Sequence, residues 1–265
     1  MSNKDGRQVA RENEQRCLRA LHRFGWLRTR DLAALCWRRW ASRPSGPPGV
    51  GPTPPTASAV RMAQRTMRRL LDSHMVIKGQ GPDGSVIYAV SERGARVLKD
   101  AGVTANSGKD LVRGFSAAYY RHRLISNQVA ISGIVQGFRV STEREIAQGR
   151  WLGGEAGILG KRPDVLLRNG SQLFFVEVEK SRKNAKDYKA LLVWLGSVLQ
   201  DSTRRDGPRL LGPGLVWGRV IFICTLAFEE RLRKDLASAG WTQRQVDTLS
   251  CFESALYLFE DILFP

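Results

Sequence analysis

Carboxylate side chains interrupt two stretches of the chain that otherwise have the apolar character of buried strands. Asp164 precedes the run "VLLR", and Glu177 and Glu179 end the run "LFFVEVE". Residues two apart on a strand point to the same face, so the two glutamates are expected to emerge together. Two like charges about 5 Å apart repel by roughly 3 kcal/mol at an effective dielectric near 20. A compensating positive group is therefore expected beside them.

A divalent cation is the natural compensating group. Mg²⁺ and Mn²⁺ prefer oxygen ligands, and Mg²⁺ usually binds one or two carboxylates together with substrate phosphate. A tight turn at "NGS" would place Asp164 beside Glu177, and Glu143 and Glu145, on an expected strand over residues 138–146, would lie at the next position. Such a site would activate water and neutralise charge on a scissile phosphate.

Two lysines follow the acidic run closely. Lys180 or Lys183 would orient the nucleophile or stabilise the charged transition state. In a regular strand Lys180 points away from the glutamates, so Lys183 is the better placed of the two. The alternative is a solvent-facing strand whose glutamates pair with local Lys and Arg. The apolar "LFFV" leading into "EVE" favours an inner strand instead.

The charge balance of the whole chain predicts a polyanionic partner. The 265 residues include 42 Lys plus Arg against 25 Asp plus Glu, a formal net charge of +17. Nucleic acid is the first candidate for that partner and an anionic membrane surface the second.

No segment has the pattern of a membrane span or an export signal. The longest apolar candidate, residues 214–228, is interrupted by Arg219, and the first sixteen residues are polar and charged. A span needs roughly 18 or more uninterrupted apolar residues. We therefore expect a cytoplasmic protein without a membrane partner. The four cysteines are scattered without a C-x-x-C pair, which predicts free thiols rather than a zinc site.

The N-terminal part of the sequence predicts a winged helix-turn-helix over residues 13–104, after a flexible tail over 1–12. Two short helices (13–23 and 29–37) precede a disordered insertion rich in Pro and Gly (42–58). A longer helix capped by Thr56 or Ser58 follows, then a β-hairpin turning at "GPDG" and a closing helix over 91–102.

Basic side chains in this segment are candidates for contact with DNA phosphates. Four arginines fall at i, i+4, i+7 and i+8 of the longer helix, and so form a stripe separate from its apolar stripe. A lysine on the hairpin adds to them. These five predicted DNA-binding residues are Arg61, Arg65, Arg68, Arg69 and Lys78.

The second part of the chain predicts an α/β layer domain over residues 111–265, joined by a linker at 105–110. A long helix (111–138) precedes strands and helices in alternation, and several of the strands are apolar on both faces. That pattern is typical of a sheet covered by helices. The expected fold class is α+β overall, with a mixed sheet in the second domain.

At the acidic segment the sequence resembles a known nuclease core. "RPD" followed by "VEVEK" is similar to the PD-(D/E)xK pattern, and the order winged helix, "HRL", "TERE", "RPD", "VEVEKSRK" and Tyr188 resembles the replication-relaxation family, related to the MobC class of mobilisation relaxases. The resemblance covers roughly residues 13–200. It implies a restriction-endonuclease-like domain that uses Mg²⁺ or Mn²⁺.

Carried onto this chain, the resemblance assigns roles to individual residues. It makes Glu143 the early acidic ligand, Asp164 the ligand of the PD pair and Glu177 the second metal ligand. Glu179 stands where the commoner pattern has Lys. The pattern thus departs from the family at the position of the catalytic lysine.

Two functions follow as hypotheses. The first is metal-dependent nicking or cleavage of double-stranded DNA in the mobilisation or replication of a plasmid or integrative element. The alternative is a non-catalytic DNA-binding regulator or accessory factor with a degenerate nuclease-like domain. Homodimer formation and association with other mobilisation or replication proteins stay open.

Overall fold

The computed structural model describes residues 5–113, 116–179, 184–204 and 209–258. Lys180 and Lys183, both predicted to be catalytic, lie outside the described residues. No helix among the described residues is long and apolar enough to cross a bilayer. The fold is mixed α+β, as predicted, and contains a mixed sheet.

Contacts divide the chain into two compact units. Unit 1 comprises the described residues up to 40 together with 52–131, and unit 2 comprises residues 41–51 and 132–258. The boundary falls after Ile131, inside the helix Ala117–Val135 (α5), rather than at residues 105–110. The segment expected as a linker instead packs on unit 1, where Ala105 is buried and the amide of Gly108 donates to the carbonyl of Val90 at 2.8 Å.

Unit 1 contains helices around a small antiparallel sheet with the strand order β1-β3-β2. Its elements before α5 are α1 (Gly6–Phe24), β1 (Leu27–Arg28), α2 (Thr29–Cys36), α3 (Ala57–Asp72), β2 (Val76–Gln80), β3 (Val86–Val90), α4 (Glu92–Asp100) and a 3-10 turn (Lys109–Val112). The hydroxyl of Thr56 caps α3 by accepting from the amide of Ala59, and Ser91 caps α4 in the same way. The predicted hairpin is confirmed as β2 paired with β3.

Two predictions about irregular segments were wrong. Residues 6–12 belong to α1 rather than to a flexible tail, because Asp5 caps the helix by accepting from the amide of Arg7. Residues 42–56 hold no helix or strand, but they are anchored rather than disordered. Gly49 exchanges hydrogen bonds with Gln136 in unit 2, at 2.8 Å and 2.6 Å. The prolines prevent regular structure, while the backbone still finds partners.

Unit 2 is built on a five-stranded sheet with the order β4-β5-β6-β7-β8. β4 and β5 are antiparallel, as are β5 and β6, whereas β6, β7 and β8 run parallel. The elements after α5 are β4 (Arg139–Ser141), α6 (Glu143–Ala147), β5 (Val165–Asn169), β6 (Gln172–Val178), α7 (Ala185–Thr203), β7 (Val216–Ile223), α8 (Leu226–Ser238), α9 (Gln243–Leu249), β8 (Ser250–Glu253) and α10 (Ala255–Leu258).

The core of unit 2 lies on one face of β6. Leu173 and Phe175 point to this face and pack with buried residues of α7 and α8. Phe175 and Trp194 of α7 have ring centroids 4.7 Å apart. Because side chains alternate along a strand, Glu177 belongs to the same face as Phe175. The carboxylate therefore lies at the end of an apolar layer.

Candidate functional site

The hairpin of β5 and β6 brings Asp164 alongside Glu177. Asn169 pairs with Gln172 across a two-residue turn, whose first residue, Gly170, has φ 57°. That backbone conformation favours glycine. Val165, the first residue of β5, pairs with Val176, and extending this register by one residue places Asp164 opposite Glu177. Residues directly opposite in an antiparallel pair share a face, as the sequence predicted for these two carboxylates.

Backbone hydrogen bonds hold Asp164 in this place. Its amide donates to the carbonyl of Val176 at 2.9 Å, and its carboxylate oxygen Oδ2 accepts from the amide of Val178 at 2.7 Å. A side chain fixed by its neighbours' backbone loses little freedom when it binds a ligand.

Glu177 and Glu179 are both buried, with 5% and 4% of their surface exposed. β6 has a neighbouring strand on each side, and the amide of Glu179 donates to the carbonyl of Ile223 at 2.8 Å. The inner-strand interpretation is thus confirmed, and a solvent-facing pair of glutamates is wrong. Buried carboxylates need polar or charged partners.

One such partner is a lysine that the sequence reasoning missed. The Nζ atom of Lys161 donates to Oε2 of Glu177 at 2.8 Å. The same ammonium lies 5.7 Å from the ring centroid of Trp194. A positive group therefore accompanies the acidic cluster, and it comes from the segment before Asp164 rather than from the one after Glu179.

A glycine-rich loop delivers Lys161 to the cluster. Ile158 and Lys161 form an isolated antiparallel bridge around Leu159 and Gly160, both of which have positive φ. A Cβ atom on Gly157 would lie 2.7 Å from the carbonyl oxygen of Lys161. The segment "GGEAGILGKR" resembles a phosphate loop only superficially, and its glycines allow this tight turn. The sequence signal that could have identified Lys161 is its position at the end of a glycine-rich loop.

The carboxylates around Lys161 keep its amine protonated. Burial alone would lower the pKa of Lys161, but Glu177, and then Glu179 and Asp164, outweigh that effect and raise it. The side chain consequently acts as a fixed cation rather than as a general base at neutral pH. The three carboxylates predicted at this site all interact electrostatically with the Lys161 ammonium; they are Asp164, Glu177 and Glu179.

Glu143 does not lie on a strand, so that prediction was wrong. The strand ends at Ser141, and Glu143 is the first residue of α6. The hydroxyl of Thr142 accepts from the amide of Glu145, while the carboxylate of Glu145 accepts from the amide of Thr142 at 2.9 Å. This reciprocal capping box starts a helix where alternating residue types predicted a strand.

The donor types at the site suit Mg²⁺ or Mn²⁺, although the predicted set of three ligands is not assembled. Among the described residues, no group of three or more His, Cys, Asp or Glu lies together so that it could hold a metal ion. Asp164 and Glu177 stand opposite each other, and two carboxylates are a usual protein contribution to a Mg²⁺ site that also uses substrate phosphate. These two residues would hold the cation.

The predicted DNA-binding residues of unit 1 are exposed. Arg61, Arg65, Arg68 and Arg69 lie on the solvent side of α3, and Lys78 is exposed on β2. The opposite side of α3 is buried. Arg69 differs from the others because its Nε atom donates to Glu14 of α1 at 2.8 Å. The remaining three arginines of α3 have no ion pair among the described residues.

Comparisons with family models, with curated proteins and with solved structures found no match to this chain. The assignment of a function therefore depends on the geometry of the two units.

Proposed function

We propose that the protein binds double-stranded DNA through unit 1 and nicks or cleaves it, with a divalent metal, at the acidic cluster of unit 2. The observation that carries the proposal is the placement of Asp164, Glu177 and Lys161 together at the end of a central strand. In metal-dependent hydrolysis of a phosphodiester, two carboxylates can hold the cation and a lysine can stabilise charge on the phosphate. The resemblance to the replication-relaxation family points to mobilisation or replication of a mobile element as the setting.

Each residue of the cluster has a distinct role in this proposal. Asp164 and Glu177 bind the cation, and a bound Mg²⁺ or Mn²⁺ supplies charge neutralisation and an acidified water. Lys161 supplies a protonated amine that stabilises negative charge developing on the phosphate. Glu179 is held beside them by the backbone contact to Ile223. In this proposal Lys161 supplies the positive charge that the commoner pattern supplies from the position of Glu179.

The order of elements in unit 1 supports its role in DNA binding. Three helices, a three-stranded sheet with the order β1-β3-β2 and a hairpin after α3 are the parts of a winged helix. In that interpretation α3 is the recognition helix, and Arg61, Arg65 and Arg68 contact phosphates or base edges.

The alternative function is a DNA-binding regulator or accessory factor without catalysis, and one contact favours it. The ion pair at 2.8 Å between Lys161 and Glu177 occupies an oxygen that a metal ion would use. A permanent ion pair would make the cluster a structural feature of unit 2.

Incubation with supercoiled plasmid carrying DNA of its own element separates the two functions. Wild type is compared with Asp164→Asn, Glu177→Gln and Lys161→Gln in Mg²⁺ or Mn²⁺, and Glu230→Gln, at an exposed carboxylate of α8, is the matched control. The proposal predicts nicked or linear product from wild type and the control. The three cluster variants should lose roughly a hundredfold or more in rate.

A gel shift on the same DNA completes the test. If wild type shifts the plasmid but leaves it supercoiled in either metal, the enzymatic function is wrong and the regulator remains. If wild type does not bind the DNA, both functions are wrong.

A further inference from the structure

A second basic surface lies in unit 1 beside the arginine stripe of α3, and Lys78 is the one predicted DNA contact among its described lining residues. It forms a groove of about 710 Å³ between the end of α3, strand β2, the start of α4 and the 3-10 turn. A smaller cavity of about 270 Å³ shares Glu92, Arg96, Ser107 and Lys109 with it, so the two form one continuous channel along α4. We call this channel the α4 groove.

The charge of the α4 groove is strongly one-sided. The described residues lining its larger part contribute five cations against the single carboxylate of Glu92. The five cations are Lys78, Arg93, Arg96, Lys109 and Arg113. All five side chains are exposed, and within the described part of the chain none of them forms an ion pair. Uncompensated cations lining one groove create a positive potential that attracts a polyanion.

The shape and lining of the groove select among polyanions. No Phe, Tyr or Trp is found among the described lining residues, so the groove offers none of the ring faces on which the bases of a single strand stack. Arginine and lysine on an open channel suit the phosphates of a duplex, which need charge but no stacking. Arg93 and Arg96 are three apart on α4, which places them side by side.

We infer that the α4 groove binds the backbone of double-stranded DNA and extends the contact made by α3. This inference rests on the proposed DNA-binding function. Leu71 in the last turn of α3 and His74, two residues after the helix, line the beginning of the groove, so the surface continues directly from the recognition helix. The contacts go to phosphates, and they contribute affinity for any sequence rather than selection of a site.

The test measures how binding of the full-length protein to a labelled duplex of random sequence depends on salt. Arg93→Gln/Arg96→Gln is compared with Arg7→Gln/Arg11→Gln, a control that removes two exposed charges from the first turns of α1. In a plot of log K for binding against log salt concentration, the negative slope of the groove variant should be shallower than that of wild type by about two. The variant should weaken binding by roughly tenfold per lost contact at 0.1 M salt.

The outcomes distinguish this inference from the proposed function. Equal slopes for the groove and control variants, while wild type binds the duplex, overturn the α4 groove and leave the proposed function intact. Absence of duplex binding by wild type overturns both. Loss of binding to vesicles rich in anionic lipid, without loss of binding to DNA, would assign the groove to a membrane surface and overturn the inference.

A second variant guards against misfolding. If Arg93→Gln/Arg96→Gln lacks the thermal unfolding transition of wild type, Lys109→Gln/Arg113→Gln replaces it, because these two residues lie on the 3-10 turn and directly after it rather than on α4. The same drop of about two in the slope is expected.

Discussion

Two ion pairs among the described residues, Arg28 with Asp31 in unit 1 and Lys161 with Glu177 in unit 2, differ in the groups that surround them. In unit 1, Asp31 accepts from the side chain of Arg28 at 3.0 Å and 3.1 Å and from its backbone amide at 3.0 Å. In unit 2, Nζ of Lys161 makes one contact of 2.8 Å with Oε2 of Glu177, and the carboxyl groups of Asp164 and Glu179 also interact electrostatically with this ammonium. The first pair joins one charge of each sign, whereas three carboxyl groups act on the single ammonium of Lys161.

From this difference we interpret the pair of Arg28 and Asp31 as structural and the pair of Lys161 and Glu177 as part of the proposed functional site. Three hydrogen bonds donated by Arg28 to the carboxylate of Asp31 fix the start of α2, and that geometry offsets much of the cost of burying two charges. Lys161 offers the carboxyl cluster only one positive charge. Three carboxyl groups around one ammonium form the kind of site that gains from an added cation.

The largest loss of stability is expected when the ion pair of Arg28 and Asp31 is broken. Asp31→Ala leaves the guanidinium of Arg28 buried without its main partner, so the free energy of unfolding should fall by about 3–5 kcal/mol. Urea denaturation measures the loss. Asp72→Ala, at an exposed carboxylate ending α3, is the control and should change stability by less than about 0.5 kcal/mol. A loss below 1 kcal/mol for Asp31→Ala would show that the pair is not structural.

Lys161→Gln should lower the free energy of unfolding by less than Asp31→Ala does. The stability of the Lys161→Gln variant should also depend on divalent metal. Lys161→Gln removes a charged hydrogen bond to a carboxylate, which lowers the free energy of unfolding by about 2 kcal/mol. Because the variant removes the ammonium on which all three carboxyl groups act, millimolar Mg²⁺ or Mn²⁺ should stabilise it more than wild type. The comparison is made by thermal unfolding with and without metal.

Two further variants decide whether that metal effect belongs to the cluster. Lys161→Gln combined with Asp164→Asn should lose the stabilisation by metal, because a carboxylate ligand is gone. Asp31→Ala should gain nothing from metal. Equal stabilisation of all variants would contradict the contrast between the two pairs.

High pH should remove the contribution of Lys161 and leave that of Arg28. The pKa of Lys161 is raised in the folded state by its acidic neighbours, so its contribution to stability is complete below the ordinary lysine pKa of about 10.4 and disappears as pH rises through the folded value. The difference in unfolding free energy between wild type and Lys161→Gln should be constant from about pH 7 to 10 and shrink above that.

Lys161→Arg is the matched control for this titration. A guanidinium keeps its charge across the whole range, so its difference from Lys161→Gln should not shrink. A difference that is already lost between pH 7 and 9 would contradict the ion pair.

Much of this arrangement follows from the sequence, and the exceptions have physical causes. The hairpin that pairs β5 with β6 is predictable because "NGS" supplies a turn between two apolar runs, and the burial of Glu177 follows from the strand "LFFVEV". The position of Lys161 is not predictable, because contact across sixteen residues depends on how the glycine loop folds.

The error at Glu143 had a local cause that the sequence did contain. "TERE" fits both an alternating strand and a capping box, and the reciprocal bonds of Thr142 and Glu145 decide in favour of the helix. At the N-terminus, Asp5 similarly provides a cap that extends α1 through residues expected as a tail.

The smallest effect concerns Arg69, the one predicted DNA contact that forms an ion pair with another described residue. Its ion pair with Glu14 leaves 47% of the side chain exposed, so Arg69→Gln should change the free energy of unfolding by less than about 1 kcal/mol. Because Arg69 must leave Glu14 to reach a phosphate, Arg69→Gln should lower the salt slope of DNA binding less than Arg65→Gln, which should lower it by about one. Glu14→Gln releases Arg69 and should strengthen binding. Equal slopes for Arg65→Gln and Arg69→Gln would show that the ion pair does not compete with DNA.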